Sequence, residues 1–226
     1  MKLAPVCSTI RPRTDYDSAG DLTQDGTGTG SYTYTWDGEG RMATSTPSGG
    51  SATTYIYNAL GQRVDKYTGT SYHEYIFDPS GTEAMASSRG SGWFTHEYLY
   101  LGGKRFGKYA NNHTYFLHMD KIGSVATATD ETGSVSQGQD VIYQPWGQQW
   151  AVVGSLVDQR FASLHLRDTE TNLDPTHFRM FSSDKGRWMS PDPKAGCGMN
   201  PQNHNRYAYV RGSPLILVDP RGDQED

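Results

Sequence analysis

Glycines recur in this chain at positions 20, 40, 61, 81, 103 and 123, at intervals of 20, 21, 20, 22 and 20 residues. A fixed period of that length marks a repeat architecture, in which each unit is one supersecondary element that buries its apolar face against its neighbours. The glycine closes a common unit: an aromatic residue, Asp or Asn, two variable residues, Gly, one residue, then an apolar residue or Arg. It reads Tyr16-Asp17-Ser18-Ala19-Gly20-Asp21-Leu22, Trp36-Asp37-Gly38-Glu39-Gly40-Arg41-Met42 and Tyr57-Asn58-Ala59-Leu60-Gly61-Gln62-Arg63. A shortened copy is Phe77-Asp78-Pro79-Ser80-Gly81, and looser copies end on Gly103, Gly123 and Gly147.

Asp or Asn after the aromatic accepts hydrogen bonds from backbone amides just ahead of it and so opens a turn. Gly supplies the positive φ that closes the turn. Between turns the chain alternates, as in Ser31-Tyr32-Thr33-Tyr34-Thr35-Trp36 and Thr53-Thr54-Tyr55-Ile56-Tyr57, with the period of two that belongs to strands. Some twenty residues per unit accommodate two strands and two turns, so each unit predicts one hairpin and the whole predicts six to seven stacked hairpins. The expected fold is all-β, a sheet of stacked hairpins forming a curved, partly open shell. No helical stripe precedes residue 155, and Ser155 to Leu166 reads equally as a short helix or a further strand.

Composition agrees. Only 35% of residues are hydrophobic while 12% are aromatic, and the mean hydropathy is −0.71. That suits thin sheets in which a tyrosine ring packs while its hydroxyl finds water or a polar partner. The net charge of −5, without a Lys/Arg run, argues against nucleic acid as a partner. The most apolar run, Leu215-Ile216-Leu217-Val218, is far too short to cross a bilayer. Met1 to Arg13 contains no signal-peptide core, and the chain reads as a piece of a longer protein. Cys7 and Cys197 are too few for a disulfide framework. His113 and His118, five apart, point to opposite faces of a strand, and no His or Cys spacing suits zinc, so neither a metal nor any other cofactor is expected. Ser163 and Ser190 lack the context of a nucleophile elbow.

The period and turn unit resemble the tyrosine–aspartate (YD) repeats of Rhs proteins, toxin-complex C components and teneurins. The closing stretch resembles the Rhs repeat-associated core through Arg167-Asp168-Thr169-Glu170-Thr171-Asn172-Leu173, Phe178-Arg179-Met180-Phe181 and Gly186-Arg187-Trp188-Met189-Ser190-Pro191-Asp192-Pro193. It continues through Asn205-Arg206-Tyr207-Ala208-Tyr209-Val210 and Ser213-Pro214-Leu215 into Val218-Asp219-Pro220-Arg221-Gly222. The resemblance implies two parts: residues 1–160 as YD-repeat sheet and residues 161–226 as a core that plugs one end of a shell. It also implies that a C-terminal toxic segment, absent here, is held inside the shell and released when the core cuts its own chain just after the signature. Asp192 and Asp219 are the implied catalytic pair of an aspartyl autoprotease, with Pro193, Pro220, Gly222 and Asp223 marking the signature and the cleavage region. Two carboxylates brought together share one proton, so that one serves as base and the other as acid.

Two departures bear on that transfer. Asp223 stands where the family usually has Leu, and Asp192-Pro193-Lys194-Ala195-Gly196 places its glycine one residue late. Leu173-Asp174-Pro175-Thr176-His177 interrupts an aromatic strand, and its proline is tolerable only at an edge or a bulge. Asp-Pro is also a common turn opener, and Arg221-Gly222-Asp223 spells an adhesion tripeptide. The parent protein is expected to be secreted or on the cell surface, with its own toxin segment and a secretion apparatus or cell-surface molecules as partners. Three readings stand: a structural shell segment whose self-cleaving site has lapsed, an active autoprotease, and a self-assembling or surface-binding module, carbohydrate-binding included, whose open sheet edges pair.

Overall fold

The turn chemistry anticipated from the repeat appears at six places. At Asp17, Asp37, Asn58, Asp78, Asp120 and Asp130, side-chain Oδ1 accepts the backbone N–H groups two and four residues ahead at 2.8–3.0 Å. The glycine three residues ahead donates back to the turn's first carbonyl, and its φ lies between 74° and 94° in all six, a region closed to most side chains. The copy at Gly103 differs: Gly102 and Gly103 both have positive φ, which makes a two-residue hairpin turn that needs no acidic opener.

The computed structural model describes residues 14–26, 28–88, 94–135, 138–154, 158, 160–194 and 201–223. Cys7 and Cys197 lie outside them. The turns separate β1 (Thr14–Tyr16), β2 (Leu22–Asp25), β3 (Tyr32–Trp36), β4 (Met42–Pro47), β5 (Thr53–Tyr57), β6 (Arg63–Tyr67) and β7 (Tyr72–Phe77). There follow β8 (Glu83–Ser88), β9 (Phe94–Leu101), β10 (Lys104–Ala110), β11 (His113–Met119), β12 (Val125–Thr129), β13 (Gln139–Tyr143) and β14 (Gln149–Gly154). All fourteen belong to one sheet in chain order, each strand antiparallel to the next, with β1 and β14 as open edges. A second sheet of β15 (Leu173–Pro175), β16 (Met180–Ser182) and β17 (Arg187–Trp188) has β16 in its centre. Pro175 is therefore on an edge strand, where a missing ladder donor is tolerated. The described part of 155–166 is neither helix nor strand, and two 3₁₀ turns, Pro201–His204 and Val210–Gly212, are the helical elements among the described residues.

The large sheet is curled. Met180 packs in one cluster with Leu22 on β2, Tyr34 and Met42, whereas Phe181, its neighbour in sequence, packs with Tyr143 at the end of β13 and with Trp146. Laid flat, β2 and β13 would lie about 50 Å apart at the usual strand spacing. One short strand touches both, so the sheet wraps around the C-terminal residues. Hydrogen bonds tie the wrap at several points: Leu22 N–H to the Met189 carbonyl and Val125 N–H to the Arg160 carbonyl, both at 3.0 Å, and the Tyr207 hydroxyl to the Gly20 carbonyl at 2.7 Å.

Aromatic and apolar side chains fill the two ends of this wrap, but its middle is ionic. Asp168 takes Arg63 at 2.6 Å and Lys66 at 3.0 Å. Arg160 holds Asp158 at 3.1 Å and Glu83 at 3.3 Å, and Glu83 also takes His96 at 3.1 Å. All of these groups are buried or nearly so. Burial opposes ionisation of Asp168, yet Arg63 and Lys66 outweigh it and hold its carboxyl below the ordinary range.

At Asp21 the balance is reversed. Burial first, then the charges of Asp17 and Asp37, push its carboxyl up from 3.8 to about 6. A raised folded-state pKa contributes stability that is full below pH 3.8 and is lost as pH rises through about 6. Asp21→Asn is therefore expected to raise the unfolding free energy at pH 7–8 by on the order of 2 kcal/mol, with little change at pH 4. Urea melts at both pH values test this, and equal effects at the two would contradict it.

Candidate functional site

The two candidate aspartates, twenty-seven positions apart in sequence, meet at one guanidinium. Arg179 leads into β16. Its backbone is locked by Thr176, whose hydroxyl donates to the Arg179 carbonyl at 2.7 Å and accepts the Arg179 N–H at 3.1 Å. The side chain lies 4.3 Å from the Trp188 ring centroid, and its Nη2 reaches Asp192 Oδ2 at 3.0 Å and Asp219 Oδ2 at 3.1 Å. Arg179 Nε donates to the Gly222 carbonyl, and Nη1 to the Arg206 carbonyl at 3.4 Å. Burial lowers the Arg179 pKa while both aspartates oppose the drop, and a guanidinium stays charged at neutral pH.

Each carboxylate divides its oxygens in the same way. Asp192 Oδ1 accepts the Lys194 N–H at 2.8 Å, which makes a turn of Asp192-Pro193-Lys194. Asp219 Oδ1 accepts the N–H groups of Gly222 at 2.8 Å and Asp223 at 3.1 Å, which closes the turn through Pro220. The turn-forming role of Asp-Pro and the pairing of the two aspartates therefore coexist, on different oxygens. Asp219 is 1% exposed, and the Asp192 side chain 25%. Gly222 has φ +79°, and a Cβ there would run into the Thr176 hydroxyl. Gly222 and Asp223 are buried, so Arg221-Gly222-Asp223 is not displayed as an adhesion loop.

The two departures from the family signature touch each other: Lys194 Nζ meets Asp223 Oδ2 at 2.9 Å. An acidic residue in place of an apolar one is thus matched by a lysine in the altered first motif. Sequence reasoning singled out the aspartates but gave no role to Arg179, Lys194 or Arg206, whose Nε donates to the Asp192 carbonyl at 2.9 Å. For Arg179 a signal existed, because a lone arginine inside Phe178-Arg179-Met180-Phe181 demands a buried partner.

Chemically, one guanidinium bridges two carboxylates. The arrangement offers a base, a polarised Gly222 carbonyl and a clamped turn. Of the two carboxylates, that of Asp192 is the more open to solvent. Among the described residues no group of three or more His, Cys, Asp or Glu is placed to hold a metal ion.

No protein-family model matches the chain. It is 28% identical over 213 residues to the tRNA3(Ser)-specific nuclease WapA of Bacillus spizizenii, a match covering 92% of this chain and 9% of that protein. It is 35% identical over 115 residues to double-stranded DNA deaminase toxin A of Burkholderia cenocepacia, covering 48% of this chain and 7% of that one. Among solved structures, the Photorhabdus luminescens Tc holotoxin pore superposes with a TM-score of 0.68 at 20% identity over 92% of this chain. This chain shares the fold of that stretch. The TcdB2-TccC3 crystal structure agrees, with a TM-score of 0.67 at 21% identity over 92% of this chain. The chain spans about a tenth of the Tc chains it matches, 10% and 11% respectively. Among the described residues no helix is long and apolar enough to cross a membrane.

Proposed function

We propose that the chain is a shell segment of an Rhs-type toxin. Residues 1–160 supply hairpins to the wall, and residues 161–226 form the core that plugs one end and presents or encloses a C-terminal toxic segment. Asp192 and Asp219 are its self-cleaving pair. The observation that carries this reading is the site itself, where a sheet curled around the C-terminal residues ends in a turn, Asp219 to Asp223, clamped by both aspartates through Arg179. The relatives support the carrier role. A tRNA nuclease and a DNA deaminase perform unrelated chemistry, so a stretch similar to part of each carries neither activity. The parent is secreted or displayed on the cell surface.

In the proposed reaction water adds to the carbonyl of the Asp223–Gln224 peptide. One ionised aspartate takes a proton from the water, and the other, protonated, gives one to the departing amide nitrogen. The products are a carboxylic acid at Asp223 and a free amine at Gln224. Intact mass of a chain extended beyond Asp226 by a reporter tests this, with wild type beside Asp192→Asn and Asp219→Asn. Release of the reporter after Asp223 in wild type alone is expected. An uncut chain in all three sinks the self-cleavage and leaves the structural role; equal cutting in all three rules out these aspartates.

A further inference from the structure

The residue that carries the attacked carbonyl in the proposed cleavage is itself an acid, and it is buried. A carboxylate withdrawn from water costs free energy unless a cation or hydrogen-bond donors replace the lost solvent. The backbone of Asp223 is fixed first, because Asp219 Oδ1 accepts its N–H at 3.1 Å. The side chain so placed brings Oδ2 to 2.9 Å from Lys194 Nζ. Among the described residues Oδ1 makes no hydrogen bond, and it lies 3.9 Å from Arg221 Nε, beyond hydrogen-bonding distance. Lys194 is therefore the cation on which the buried charge depends.

Lys194 is held in turn by the other aspartate. Its N–H donates to Asp192 Oδ1 at 2.8 Å, while Asp192 Oδ2 and Asp219 Oδ2 meet at Arg179. The five groups close a ring, from Arg179 through Asp192, Lys194, Asp223 and Asp219 back to Arg179. Each aspartate of the proposed pair thus holds one end of the Lys194–Asp223 contact. The two ends lose different amounts when the contact is broken. The Lys194 side chain is 59% exposed and the Asp223 side chain 12%. A freed lysine turns to solvent, whereas a freed Asp223 carboxylate stays where water is scarce. An ordinary surface ion pair, solvated at both ends, is worth little. Here the acid needs the lysine, as a bound group needs its subsite.

We propose that Lys194 is a specificity-determining residue of the self-cleaving site, selecting an acidic side chain at position 223, immediately before the bond to be cut. The inference rests on the self-cleavage reading. Its test is the release rate of a reporter fused beyond Asp226, measured for the natural Asp223 and for Asp223→Leu in each Lys194 background. Lys194→Met is expected to lower the rate for Asp223 relative to Asp223→Leu by about tenfold or more, the effect of a buried polar group left unpaired. Lys194→Arg keeps the charge and leaves that ratio near its wild-type value. A lysine with only a structural role would slow both chains alike, so an unchanged ratio with both chains cut overturns the proposal while self-cleavage stands. A ratio moved by Arg221→Met and not by Lys194→Met also overturns it. No release from any chain, wild type included, removes self-cleavage itself, and the proposal falls with it.

Discussion

Asp168→Ala is expected to lower the unfolding free energy by about 3–5 kcal/mol, the usual cost of removing one partner from a buried ion pair. The side chain is 2% exposed and is shared by Arg63 and Lys66, themselves 11% and 9% exposed. Without it two cations remain on the inner face of β6, with Glu170, 3.0 Å from Lys66, as the remaining counter-charge. The cost comes mainly from the stranded charges rather than from a large intrinsic worth of the pairs. Replacing all three together, as Asp168→Leu with Arg63→Met and Lys66→Met, should recover most of the loss. Urea unfolding followed by circular dichroism measures both, and a loss under about 1 kcal/mol for the single variant would show a solvated network instead.

Arg179→Met should be comparably severe, again about 3–5 kcal/mol, and its effect should be local as well as global. It leaves Asp219 buried without its cation and removes the donors to the Gly222 and Arg206 carbonyls. The Asp219–Asp223 turn loses its clamp, so limited proteolysis is expected to cut there first. Adding Asp219→Asn removes the stranded charge while its side-chain oxygen can still accept the turn's N–H groups. The double variant should be more stable than Arg179→Met alone, a non-additivity that reports direct coupling. Strict additivity would place Asp219 outside the influence of Arg179.

These two variants also mark where the sequence was legible and where it was not. The hairpins could be read because each is encoded within about five consecutive residues. Asp17 and Gly20, or Asn58 and Gly61, need no knowledge of the rest of the chain to make their turn. Strand alternation then set which tyrosines face inward, and Tyr34 and Tyr55 are both buried. The meeting of Asp192 with Asp219 was foreseen by family resemblance, not by residue chemistry. The ionic middle was not foreseen at all. Arg63 and Asp168 are separated by 105 residues, and only the curl of the sheet brings them together. In sequence such residues look like ordinary solvated charges. Pairing at that range is decided by curvature, which no local pattern records; Lys194 and Asp223, 29 residues apart, are likewise joined by no local pattern.

The strict chain order of the large sheet has a consequence for how the molecule is built. Every strand pairs with the one made just before it, so the wall is assembled from contacts of short sequence separation and can lengthen from its N-terminal end as the chain leaves the ribosome. The contacts that fill it are of the opposite kind: Tyr207 reaches Gly20 across 187 residues, and Tyr32 reaches Glu170 across 138. They cannot form until Glu170 and Tyr207 have been synthesised. Until then the inner face of each finished hairpin stands open to solvent, and the wall is filled only by residues that follow it in the chain.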